Sequence, residues 1–124
     1  MNIKINTKEK FTVIYLLEPF IAANMAVDIE NLATYGKETI PHVIINMAAV
    51  AELALQPALA LVALQQSFYE QNLSFVICEM QAQVELFFET NQLLDDMNVT
   101  PTESEAWDII QMEEIERELL DDYE

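Results

Sequence analysis

The chain has one glycine (Gly36), one cysteine (Cys78) and one histidine (His42). A single glycine cannot build a glycine-rich phosphate loop or a dinucleotide fingerprint, because both need several positions free of Cβ. A lone cysteine cannot close an internal disulfide. Within Phe75-Val76-Ile77-Cys78 it reads as a buried, inert thiol. His42 has no Cys or second His to complete a metal or catalytic set, and after Pro41 it reads as a strand-edge residue. No G-x-S-x-G elbow occurs either. These shortages argue against an enzyme and against a bound cofactor.

Basic residues are also scarce. Five Lys and Arg stand against 22 Asp and Glu, a formal net charge of -17. Phosphate backbones and anionic bilayers bind through Lys and Arg, so neither nucleic acid nor a membrane surface is an expected partner. The longest uncharged apolar stretch, Leu53 to Leu64, is too short to span a bilayer and contains Gln56 and Pro57. No basic segment followed by an apolar one opens the sequence, so a cytoplasmic protein is expected.

What is present is a core. A chain of 124 residues with 52% hydrophobic content suits one globular domain. The charge is uneven, with ten acids and only Arg117 in residues 103–124. We expect a domain over 1–112 and an acidic helical extension over 113–124, continuing the last helix and fraying near Asp121, where acids oppose the helix dipole. The acids Glu113, Glu114, Glu116, Glu118, Asp121 and Asp122 match no calcium loop and read as a solvated helix face, or as a negative surface for a basic partner.

Strands are expected over Met1–Asn6, Phe11–Leu17, Val43–Met47 and Leu73–Cys78, with a short edge strand at Asn98–Thr100. Helices are expected over Ala22–Tyr35, Pro57–Glu70 and Met80–Leu94. Gly36 fits the C′ position of the first, and Pro57 the N1 position of the second. Asn72 can take the left-handed conformation where glycine is missing. The last helix starts from Thr100 or Thr102, since both fit a capping box. The six Met residues read as core filler, and Trp107 as partly buried packing.

This order, β-β-α-β-α-β-α-(β)-α, indicates an α/β fold. With these residues it resembles the STAS domain of bacterial anti-sigma factor antagonists, over about residues 2–112. The resemblance rests on the opening hairpin and on Val43-Ile44-Ile45-Asn46-Met47, where the family's strand ends in Asp-Leu or Asn-Leu. It rests also on Thr102-Glu103-Ser104-Glu105-Ala106 opening the last helix. It implies a single domain with a four- to five-stranded mixed sheet and about four helices.

The resemblance further implies a non-enzymatic regulatory interaction module whose partner is an anti-sigma factor or a related regulatory kinase. The family places an Asp-Ser-Ser-Gly signature before its second helix, and its first Ser is phosphorylated to switch binding. The matching positions here are Ala54, Leu55, Gln56 and Pro57. Leu55 has no hydroxyl and Ala54 no carboxylate, so the switch does not carry over. Glu52 reads as a solvated loop residue rather than a phosphate mimic, and Gln56 is the only side chain there able to cap the helix.

The helix after Pro57 has seven consecutive apolar residues, from Ala58 to Leu64. A helix on a sheet buries only a stripe, so part of this run should be exposed. Ala58, Leu59, Leu61 and Val62 are the expected partner-binding residues. The alternative is a homo-oligomeric scaffold that uses the same helix as its own interface.

Overall fold

The computed structural model describes residues 1–32 and 42–122, the side chains through residue 120. Five strands form one sheet: β1 (Ile3–Thr7), β2 (Thr12–Leu16), β4 (Val43–Asn46), β6 (Phe75–Cys78) and β7 (Val99–Thr100), ordered β1-β2-β4-β6-β7. β1 runs antiparallel to β2, and the other neighbours are parallel. A second, two-stranded parallel ribbon joins β3 (Phe20–Ile21) to β5 (Glu52–Leu53). The helices are α1 (Ala26–Asn31), α2 (Leu55–Glu70), α3 (Ala82–Thr90) and α4 (Glu103–Asp122). This is a single α/β domain with a mixed five-stranded sheet, as the sequence implies.

The strands read as uninterrupted apolar runs because both faces of the parallel sheet are covered. Side chains alternate across a strand. Ile14, Leu16, Val43, Ile45, Phe75 and Ile77 therefore join one core with α1, α2 and α3. Val13, Ile44, Val76 and Cys78 join a second core with Phe11 and with Ala106 and Ile110 of α4. α4 thus packs on the sheet face opposite the other three helices.

With one glycine available, the left-handed positions fall to larger residues: Asn72 (φ 59°), Glu79 (φ 60°) and Gln92 (φ 59°). Asn72 and Gln92 end α2 and α3 in the same way. Leu73 N donates to Phe68 O at 2.9 Å and Asn72 N to Tyr69 O at 3.1 Å; Leu93 N donates to Phe88 O at 2.9 Å and Gln92 N to Glu89 O at 3.0 Å. These paired bonds are Schellman closures. Asn72 takes the role its sequence position suggests.

Several boundaries differ from the sequence reading. α3 is shorter at both ends than Met80–Leu94, because Gln81 is its N-cap and Gln92 turns the chain. A 3₁₀ turn, Ala23–Met25, precedes α1. Gly36 and the expected end of that helix at Tyr35 lie outside the described residues. The β3–β5 ribbon is unannounced in the sequence, since two-residue strands cannot show alternation. For the last helix, Glu105 N donates to Thr102 Oγ1 at 3.2 Å, which selects Thr102 over Thr100 as the cap.

Candidate functional site

The corner between β4 and α2 is built from backbone. Ala51 N and Glu52 N both donate to Pro19 O, at 2.8 and 3.0 Å, and Ala54 N donates to Ile21 O at 2.9 Å. The ribbon thereby fixes where α2 begins. Ala54 is its N-cap, in extended conformation, and no side chain caps the helix. Leu55 is N1 and Gln56 N2, which places Pro57 at N3 rather than at the expected N1. Proline is tolerated there because the first-turn N–H groups have no intrahelical partner. Gln56 is exposed and does not cap. Glu52 is exposed and belongs to β5 rather than to a loop.

The seven apolar residues of α2 divide by helical face. Ala58 and Leu61 are fully buried against the sheet with Ala60, Leu64 and Phe68. Two of the four expected contact residues are therefore core, out of reach of any partner. Leu59 is exposed and Val62 half-buried. Leu55, Leu59 and Val62 follow i, i+4, i+7 spacing and form one outward face. Leu55 is 42% exposed and Leu59 47%. Phe20, paired in register with Glu52 at the same corner, is 51% exposed. The result is an apolar patch around an uncapped helix N-terminus.

A polar cluster stands at the carboxyl end of the strands beside this corner. Tyr15 OH donates to Glu103 Oε1 at 2.9 Å, and Asn46 Nδ2 donates to the same oxygen at 3.2 Å. Asn46 Oδ1 accepts from Ala48 N at 3.0 Å, and Gln81 Nε2 donates to Ala48 O at 2.9 Å. Asn46 and Gln81 thus hold the loop after β4, and Asn46 ties it to α4. Glu79 sits in the left-handed region, which costs roughly 1–2 kcal/mol. Its Oε2 accepts from Glu103 N, the first amide of α4, at 2.9 Å. Burial first, then the Glu103 bond, pushes the Tyr15 phenol up. Of these residues the sequence singled out Asn46, as a strand end, and Glu103, in the motif that opens the last helix, but not that the two meet.

Burial, aided by the charges of Glu103 and Glu79, pushes the Cys78 thiol up to about 12. Cys78 is fully buried. A thiol-specific reagent at pH 8 will leave the native protein unlabelled and modify one equivalent in denaturant; fast native labelling would contradict this placement.

His42 is not a plain strand-edge residue. It is buried, and its Nδ1 accepts from Ser74 N at 3.0 Å. Its Nε2 lies 3.1 Å from Glu114 Oε1. Arg117 Nη2 donates to Ser74 Oγ at 3.0 Å. Glu113 and Glu114 are half-buried, while Glu116 and Glu118 are exposed. The reading of the whole acidic run as solvated is thus corrected for Glu113 and Glu114, which the helix turns inward. Trp107 is half-buried, its ring 5.0 Å from that of Phe11 and beneath Lys8. Among the described residues no group of three or more His, Cys, Asp or Glu could hold a metal ion. No helix among them is long and apolar enough to cross a membrane.

The STAS domain family model matches residues 2–106, most of the chain. The chain belongs to the STAS domain family. Solved structures of several proteins share its fold. An anti-sigma factor antagonist from Mycobacterium paratuberculosis superposes with a TM-score of 0.71 at 16% identity, covering 89% of this chain and 93% of that one. The Bacillus cell fate determinant SpoIIAA, in its phosphorylated form, gives 0.63 at 12% identity, covering 88% and 99%. The murine anion transporter Slc26a9 gives 0.66 at 18% identity, but only 18% of that longer chain is matched, against 82% of this one. No curated protein matches the chain. In this STAS domain, Ala54–Pro57 form the opening turn of α2, and the outward face of that helix is apolar.

Proposed function

We propose that this STAS domain is a non-enzymatic regulatory interaction module of the anti-sigma factor antagonist kind. It binds an anti-sigma factor or related regulatory kinase through Leu55, Leu59 and Val62 of α2, with Phe20 at the margin. The supporting observation is Leu55, an exposed apolar side chain at N1 of α2; the sequence resemblance pairs this position with the family's acceptor serine. A phosphoserine at a helix N-terminus changes charge by nearly two units and remodels what binds there. Leucine fixes the surface in one apolar state, so binding here is not gated by phosphorylation at this corner.

The test combines the purified protein with the anti-sigma kinase of its own host, with and without ATP and magnesium. A complex of equal affinity in both conditions is expected, weakened at least about tenfold by Leu59→Asp. A complex lost or weakened when ATP and magnesium are present, or unchanged affinity of the Leu59→Asp variant, would overturn the reading. The exposed Leu55, Leu59 and Phe20 also suit a homo-oligomeric scaffold. Light scattering separates the two: a monomer at tens of micromolar excludes the scaffold.

A further inference from the structure

α4 carries two apolar faces, and among the described residues only one is covered. Ala106 and Ile110 are buried against the sheet. On the opposite side, Met112, Ile115 and Leu119 follow i, i+3, i+7 spacing, and each is more than half exposed. A surface helix normally presents polar residues to water on that side. Three large apolar residues at heptad spacing form a seam that a second helix fills with its own a and d residues. Met112 is therefore not core filler.

The rim of this seam is of one sign. Glu116 and Glu118 are exposed on its two sides, and the exposed Asp108 closes its line one turn before Met112. Arg117, the only base in α4, is turned inward to Ser74 Oγ. A second copy of the chain would bring one acidic rim against another, which disfavours pairing. Basic side chains flanking an apolar seam would neutralise the rim, and the net charge of -17 would steer such a partner inward.

We propose that the outer face of α4, centred on Met112, Ile115 and Leu119, docks a basic amphipathic helix of a partner protein. α4 lies on the sheet face opposite α2. Occupancy of this seam therefore leaves the Leu55–Leu59 surface free, and the domain can join two partners at once.

The probe is a fluorescein-labelled three-heptad peptide with Leu at a and d and Lys at the flanking positions. Binding to the full chain is read by fluorescence anisotropy at about 0.15 M salt, where weak surface attraction is largely screened. Saturable binding is expected. The double variant Ile115→Ser, Leu119→Ser should weaken it at least about tenfold. Both side chains are exposed, so its fold is retained, as a urea curve superposing on that of the parent will show. Leu59→Asp, on the other surface, should bind the peptide normally. A control peptide with Ser in place of Leu, at equal charge, should bind at least about tenfold more weakly. Equal binding by the double variant, or equal binding by the Ser peptide, overturns the proposal, since charge alone then suffices. Absence of binding overturns it too. A dimer in sedimentation velocity that the double variant abolishes assigns the seam to a second copy instead.

Discussion

Leu61→Ala lowers the unfolding free energy by about 2–5 kcal/mol, whereas Leu59→Ala changes it by less than about 0.5 kcal/mol. The two residues stand two apart in the same apolar run. Leu61 is fully buried between α2 and the sheet, so truncation removes its transfer free energy and leaves a cavity. Leu59 is 47% exposed on the helix's other side. Urea denaturation of both variants measures the difference. Partner binding should respond in the reverse order: Leu59→Asp disrupts it directly, while Leu61→Ala binds normally wherever it remains folded. Comparable destabilisation by the two alanine variants would mean that α2 packs with a different face inward.

His42→Ala is the second large effect. The imidazole joins the start of β4, the start of β6 and the C-terminal half of α4, through Ser74 N and Glu114. Alanine strands the buried Ser74 N–H, which alone costs about 1–3 kcal/mol. It also leaves the half-buried Glu114 carboxylate without its donor. The exposed Lys10, 3.7 Å from Glu114, offers only weak replacement. Loss of helicity should begin in the C-terminal half of α4, visible as faster amide exchange there.

The same contact gives a pH dependence. Nδ1 accepts from Ser74, so the native ring is neutral and carries its proton on Nε2. Burial depresses the His42 pKa below the ordinary value of about 6.5; Arg117 acts in the same direction, and Glu114 and Glu113 oppose both. The unfolded chain thus binds more protons than the native one as pH falls below about 6.5. Stability contributed by neutral His42 is complete above that value and is lost as pH falls toward the native pKa. Urea midpoints should drop between pH 7.5 and 5.5 by more in the parent than in His42→Gln. An equal slope in both would place the titration elsewhere.

Some residues announced their roles in the sequence. The unbroken apolar runs at Val43–Ile45 and Phe75–Ile77 specified buried central strands, because only a sheet covered on both faces tolerates unbroken apolar strands. Asn72 and Thr102 carried local turn and cap chemistry that no distant contact was needed to read. The net charge of -17 set an expectation against nucleic-acid and anionic-membrane partners before any fold was known.

Other roles depended on which surfaces meet. Seven consecutive apolar residues carry no periodicity, so only the packed helix could turn Ala58 and Leu61 inward and leave Leu59 outside. The β3–β5 ribbon is too short to alternate, yet it starts α2 two residues before Pro57. Glu79 and Gln92 adopt left-handed backbone against their own preference because a helix start and a Schellman closure lie there. His42 became a clasp only when β6 and α4 closed around it. The sequence by itself determined the order of elements, the STAS resemblance and the lack of a hydroxyl at Leu55, because these follow from local chemistry and pattern. Only the tertiary structure decided which apolar residues face water and which carboxylates face inward, because facing is a property of contacts between segments far apart in the chain.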